Sequence, residues 1–217
     1  MFVFLAGLSA VVLAMVAVRV AKTESLDYYN LVWNLFLAWV PLAFAFVVYE
    51  GANRGMRRLW LVSFGALWLL FFPNAPYLMT DMKYLRELDG APLWYDVTMT
   101  VLAAATGLAL GFISLFLIHS VARRYIGPGW AWVGVSAVLA LSSVGVFLGR
   151  FARFNSWDAF TDPAPILNEV AKGATNPTNY PKVVAVTLVF GGFLIVTYGV
   201  FYAVARFATA RDESARL

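Results

Sequence analysis

The sequence predicts an all-α fold: a polytopic membrane helix bundle with six transmembrane helices and a short outer-surface helix between the fifth and sixth. Three observations carry that prediction. Six apolar runs, at residues 2–20, 31–49, 59–79, 97–118, 130–149 and 183–204, hold roughly 20 residues each, enough to cross about 30 Å of hydrocarbon at about 1.5 Å per residue. Charged residues make up 13% of the chain and hydrophobic ones 62%, against about 25% and about 45–50% in soluble domains, so this surface is built to face lipid. None of the runs alternates with a period of two or carries a continuous polar face. In lipid such runs must be helices, which satisfy every backbone amide within themselves.

The first run has no basic segment before it, its first base being Arg19, and no small-residue cleavage site follows; it reads as a span, not a signal peptide. The second contains Asn34. The third meets Pro73 and Pro76 near its end, where two missing amide donors force a break or kink. The fourth begins after Asp96, carries Gly107-x-x-x-Gly111 and ends at His119, read as a solvated boundary residue beside Arg123 and Arg124. The fifth carries Gly145-x-x-x-Gly149; both glycine pairs permit close helix approach. Beyond it, Asp162 suits an N-cap, Pro163 a first helical position and Gly173 a C-terminal stop, with Ile166, Leu167 and Val170 on one face of a short surface helix. The sixth run completes residues 1–217 as a single six-span transmembrane domain.

Six spans put both termini on one side. The loops after spans two and four share that side and are basic beside the membrane, with Arg54, Arg57, Arg58, Arg123 and Arg124 against Glu50. The positive-inside rule weights such compact loops most, which places the termini in the cytoplasm and the chain in the cytoplasmic membrane. Arg19 and Lys22 after span one pull the other way, and Lys and Arg counted alone are equal on the two sides. The pI near 9.4 is accounted for by this sorting and implies no nucleic-acid partner. With no cysteine and one histidine, thiolate and histidine-rich metal sites are excluded.

Two polar clusters stand where apolar runs end, and both fall on the outer side. One is Asn74, Tyr77, Thr80 and Asp81; the other is Arg150, Arg153, Asn155, Ser156, Trp157 and Asp158. Such groups are costly at a membrane boundary unless they meet one another or water, so the expectation is that they form two halves of one outward-facing pocket. Arg150 and Arg153 share a helix face if the helix continues. The simplest arrangement is an ion pair from one of them to Asp81 or Asp158, locking the ends of spans three and five. A free arginine would hold an anion or a lipid headgroup. An oxygen-rich cation site from Asp81, Asp158, Asn74 and Asn155 is a third arrangement, too generic to name a metal. Asn34 and Asp96 are candidates to line the pocket, and Trp157 with the surface helix either anchors to headgroups or covers it.

The order W-N-x-x-L-A-W-x-P (Trp33 to Pro41), F-P-N-A-P-Y-x-x-T-D (Phe72 to Asp81) and G-R-F-x-R-x-N-S-W-D (Gly149 to Asp158) resembles the bacterial integral membrane family called domain of unknown function 1361. The resemblance covers roughly residues 30–205. It implies that both clusters belong to one unit, with signature positions at Asn74, Pro76, Tyr77, Thr80, Asp81, Arg150, Arg153, Asn155, Ser156, Trp157 and Asp158. Members often carry a histidine shortly after the T-D pair; Lys83 and Tyr84 stand there in this chain, which counts against a histidine-dependent metal or proton role. No activity comes with the resemblance.

Three functions follow. One is binding or transport of a small ligand or ion in the pocket. Another is an accessory or scaffold subunit whose polar groups only join helices. The third is an enzyme acting on a lipid-linked or periplasmic substrate, with Asp81 or Asp158 as general base. The chain has no P-loop, no zinc-protease motif and no nucleophile elbow, and Ser156 has no histidine to activate it. The lipid bilayer is the one partner composition specifies; cofactor and protein partners are not specified.

Overall fold

The computed structural model describes residues 2–26, 28–84, 91–154, 157–175 and 181–214. In order, these form α1 (Phe2–Thr23), α2 (Tyr29–Asn53), α3 (Arg58–Phe71), α4 (Asn74–Tyr77), a 3-10 segment (Leu78–Tyr84) and α5 (Leu93–Ile126). Then come α6 (Pro128–Phe147), a π-helical turn (Leu148–Ala152), α7 (Asp158–Thr161), α8 (Pro163–Thr175) and α9 (Pro181–Ser214). Among the described residues six stretches are long and apolar enough to span a bilayer: α1, α2, Arg58–Met82, α5, Pro128–Ala152 and Val184–Ala208. The chain is an all-helical, multi-pass membrane protein. Its helices outrun the apolar windows because propagation costs little once a helix exists, so α5 and α9 extend into polar residues at their ends.

The contacts gather into two compact units, Met1–Val121 and Ala122–Leu217. In unit 1 one small apolar cluster gathers Val48, Leu61 and Val121, and a larger one forms the main core. Leu5, Val12 and Val16 of α1 meet Leu31, Leu35, Ala38 and Leu42 of α2, Ala75 and Leu78 of the broken third span, and Met99, Ala103 and Leu110 of α5. Large apolar side chains also point outward, among them Val3 at 81% exposure and Leu59 at 73%. Lipid is as apolar as these side chains, so packing and interhelical hydrogen bonds, not hydrophobic burial, hold the helices together. Trp39 Nε1 of α2 donates to Ser9 Oγ of α1 at 3.1 Å, the Tyr95 hydroxyl of α5 to the Met15 carbonyl at 2.8 Å, and Trp68 Nε1 of α3 to Ser114 Oγ of α5 at 3.2 Å. Each such tie contributes about 0.6–2 kcal/mol in a membrane.

Unit 2 pairs α6 with α9. Gly127, at φ +81°, supplies the left-handed residue between α5 and α6, and Pro128 takes the first position of α6, where a missing amide costs nothing. Ser143 Oγ donates to the Ala140 carbonyl at 2.6 Å and to Thr187 of α9 at 3.3 Å. A Cβ at Gly191 would stand 3.1 Å from Ser143 Oγ, so the missing side chain sets how closely the helices approach. Nearer the start of α6, the Trp132 ring meets Tyr202 edge-on at 5.0 Å, and the Arg123 guanidinium donates to the Tyr202 hydroxyl.

Candidate functional site

The break in the third span is built by its prolines. Pro76 has no amide for the Phe72 carbonyl, which instead accepts the Ala75 amide at 3.1 Å. That shift takes Ala75 away from the Phe71 carbonyl, its partner in a regular α-helix. Asn74 fills the gap: its side-chain Nδ2 donates to the Phe71 carbonyl at 2.9 Å. The amide between the prolines thus satisfies a carbonyl freed by the break, as irregular backbone at membrane depth requires. The chain then tightens into the 3-10 segment, where Thr80 Oγ1 donates to the Tyr77 carbonyl at 2.7 Å.

Two glycines of α5 receive this break. A Cβ at Gly107 would lie 2.5 Å from the Ala75 carbonyl oxygen and 2.7 Å from Leu78 Cδ1; one at Gly111 would lie 3.1 Å from Ala75 Cβ. The Gly107-x-x-x-Gly111 pair is therefore the seat for the segment carrying Asn74, Pro76 and Tyr77.

The seated segment delivers Asp81, only 3% exposed, to α2, where Asn34 Nδ2 donates to its Oδ2 at 3.0 Å. Asn74, Tyr77 and Thr80 are half-buried around the break. A second carboxylate, Asp96 at the start of α5, is also buried. It accepts from Arg19 Nε of α1 at 2.8 Å, both side chains being 1% exposed, and the Arg19 guanidinium lies 4.4 Å from the Tyr28 ring centroid. Among the described residues, unit 1 therefore holds two buried carboxylates, each met by a side chain from another helix. Among the described residues, no group of three or more His, Asp or Glu side chains is placed to hold a metal ion. An apolar cavity of about 490 Å³, lined by α2 residues including Trp39 and Phe46 and by Phe2 of α1, shares no residue with these polar groups.

The other motif lies in unit 2. The helix does not continue through it: Leu148–Ala152 form a π turn and Arg153 adopts φ +63°, ψ 30°. The Arg153 amide closes the turn on the Leu148 carbonyl, which also accepts the Phe154 amide at 3.1 Å. The wider turn and left-handed exit separate the two arginines that a continuing α-helix would place on one face. Arg150 is buried and Arg153 exposed. Trp157 is exposed, half-buried Asp158 opens α7, and Asn155 and Ser156 lie outside the described residues.

A family model described as a protein of unknown function (DUF1361) matches residues 33–197, taking in all three sequence motifs. The chain belongs to the DUF1361 family. No curated protein and no solved structure matches it.

Within this DUF1361 protein several expectations change. Asp96, a candidate for lining the pocket, is half of a buried ion pair with Arg19. In the sequence alone Arg19 carries only a topology signal. The signal that finds it is a base and an acid at same-side ends of apolar helices, where an uncompensated charge is too costly to keep. His119 is fully buried and not solvated, because α5 runs on to Ile126 and about 10 Å of helix lies beyond it. Gly173 does not stop α8, which ends at Thr175; Pro163 does open it. Asn34, a candidate for lining the pocket, is the hydrogen-bond partner of Asp81.

Proposed function

We propose that this DUF1361 protein binds or transports a small ligand or ion at the polar end of unit 1, with Asp81 as the charged contact and Asn34 positioning it. The observation that carries the reading is a carboxylate 3% exposed on a helix that has left α geometry within an apolar span. Ionisable groups at that depth are costly and mark ligand or ion paths, and interrupted helices are the usual means of building such sites. The compact basic loops support an orientation with both termini cytoplasmic in the inner membrane and this polar end facing outward.

The test is a ligand and cation panel on the purified chain, read as thermal shift and as flux from reconstituted vesicles. A ligand at about 100 times its Kd stabilises by about 2.7 kcal/mol, which a melting curve resolves. That shift is expected for the wild type and lost in Asp81→Asn. A wild type that responds to nothing in the panel counts against the reading.

A second reading, a scaffold or accessory subunit, is favoured by one observation: Asn74 and Thr80 spend hydrogen bonds on their own turn's carbonyls. It expects Asp81→Asn to lower the melting midpoint with no ligand effect in either protein, and a stoichiometric partner to co-purify.

A further inference from the structure

We propose that α8 is docked in the headgroup layer of the bilayer through Leu167, Val170 and Ala171, and does not serve as a cap over protein. At 100° per residue, Ile166, Leu167, Val170 and Ala171 share one side of α8, and Asn168, Glu169 and Lys172 the other. The apolar side is largely uncovered. Ile166 is partly covered, whereas Leu167 is 64% and Val170 37% exposed. On the polar side Lys172 Nζ lies 3.8 Å from Glu169 Oε2, an i,i+3 pair of opposite charges.

What covers the open apolar side follows from its attachment. α8 touches α9, whose Leu188 and Val189 are 69% and 74% exposed and, in a membrane-spanning stretch, face lipid. Only residues 176–180 separate α8 from α9, so its end stays within roughly 20 Å of the α9 start. The link on its other side exposes Phe151 at 53% and Trp157 at 41%, aromatics of the kind that settle at a membrane–water boundary. An amphipathic helix held there, beside a lipid-facing span, has the headgroup and acyl boundary as its apolar partner. The inference does not depend on the ligand reading of Asp81.

The absence of native cysteine makes the test direct. Single variants Leu167→Cys, Val170→Cys, Asn168→Cys and Lys172→Cys of the full chain are labelled with an environment-sensitive fluorophore. They are then reconstituted in phosphatidylethanolamine–phosphatidylglycerol vesicles. Quenching by doxyl-labelled lipid is expected to be at least about twofold stronger at 167 and 170 than at 168 and 172, with iodide on both sides of the vesicle giving the reverse order. Equal iodide quenching at all four positions would place α8 in water and overturn the proposal. Protection of 167 and 170 from both quenchers would mean that protein covers this side, which overturns it equally.

Discussion

Gly107 has no room for a methyl group. A Cβ there would stand 2.5 Å from a backbone oxygen of the broken third span, and backbone cannot swing aside as a side-chain tip can. Gly107→Ala is therefore expected to destabilise by about 1–3 kcal/mol or more, as overpacking does. Gly111→Ala meets only the Ala75 methyl at 3.1 Å and should cost less. Melting of the two variants in detergent checks the order; equal midpoints would mean the break is not seated as described. Arg19 and Asp96 make a second residue-scale case. Removing either partner leaves a buried charge uncompensated, so Arg19→Ala should cost about 3–5 kcal/mol. The double replacement Arg19→Met with Asp96→Leu removes both charges at similar volume and should recover most of that loss. A double variant as unstable as the single one would show that the pair contributes something other than mutual compensation.

At the scale of elements, the proline break and the π turn show where sequence reasoning reaches and where it stops. The break was legible because proline acts locally: two missing amides within one helical turn disturb any helix, and Asn74 was the nearest group able to answer. The six apolar stretches and the proline start of α8 were legible for the same reason. The exit at Arg153 was not, since nothing in R-F-A-R-F announces a non-glycine residue at φ +63°. Nor was the pairing of Arg19 with Asp96, 77 residues apart, which depends on how α1 packs on α5. The π turn has a measurable consequence. It buries Arg150, while half-buried Arg123 on α5 meets the Tyr202 hydroxyl. Arg150→Ala should therefore destabilise more than Arg123→Ala, because a polar group lost from a buried site costs more than one lost from a half-buried site. Chemical denaturation of both variants in the same detergent gives the comparison, and a larger loss for Arg123→Ala would contradict it.

For the whole molecule, the proposed orientation makes a prediction that no single helix makes. An even number of crossings returns the chain to its starting side, so the α2–α3 turn and the α5–α6 turn face the same compartment as both termini. Arg54, Arg57 and Arg58 flank the first of these turns and Arg123 and Arg124 precede the second. The link carrying α8 must then face the other compartment. Because Arg57 and Asp162 are both exposed and the chain has no cysteine, one thiol at either position reports its side without background. In intact cells, a membrane-impermeant maleimide is expected to label Asp162→Cys, and to reach Arg57→Cys only after permeabilisation. The reverse pattern would invert the topology and put the Asp81 end in the cytoplasm. A ligand would then have to approach from within the cell. Labelling of both in intact cells would break the parity itself and with it the six-crossing path. The outcome rests on a modest energy: cytoplasmic-face anionic lipid attracts each nearby base by about 1 kcal/mol. Under the proposed orientation, the arginines clustered in two short turns are expected to outweigh Lys22 and Arg19, the latter already paired with Asp96 inside the protein.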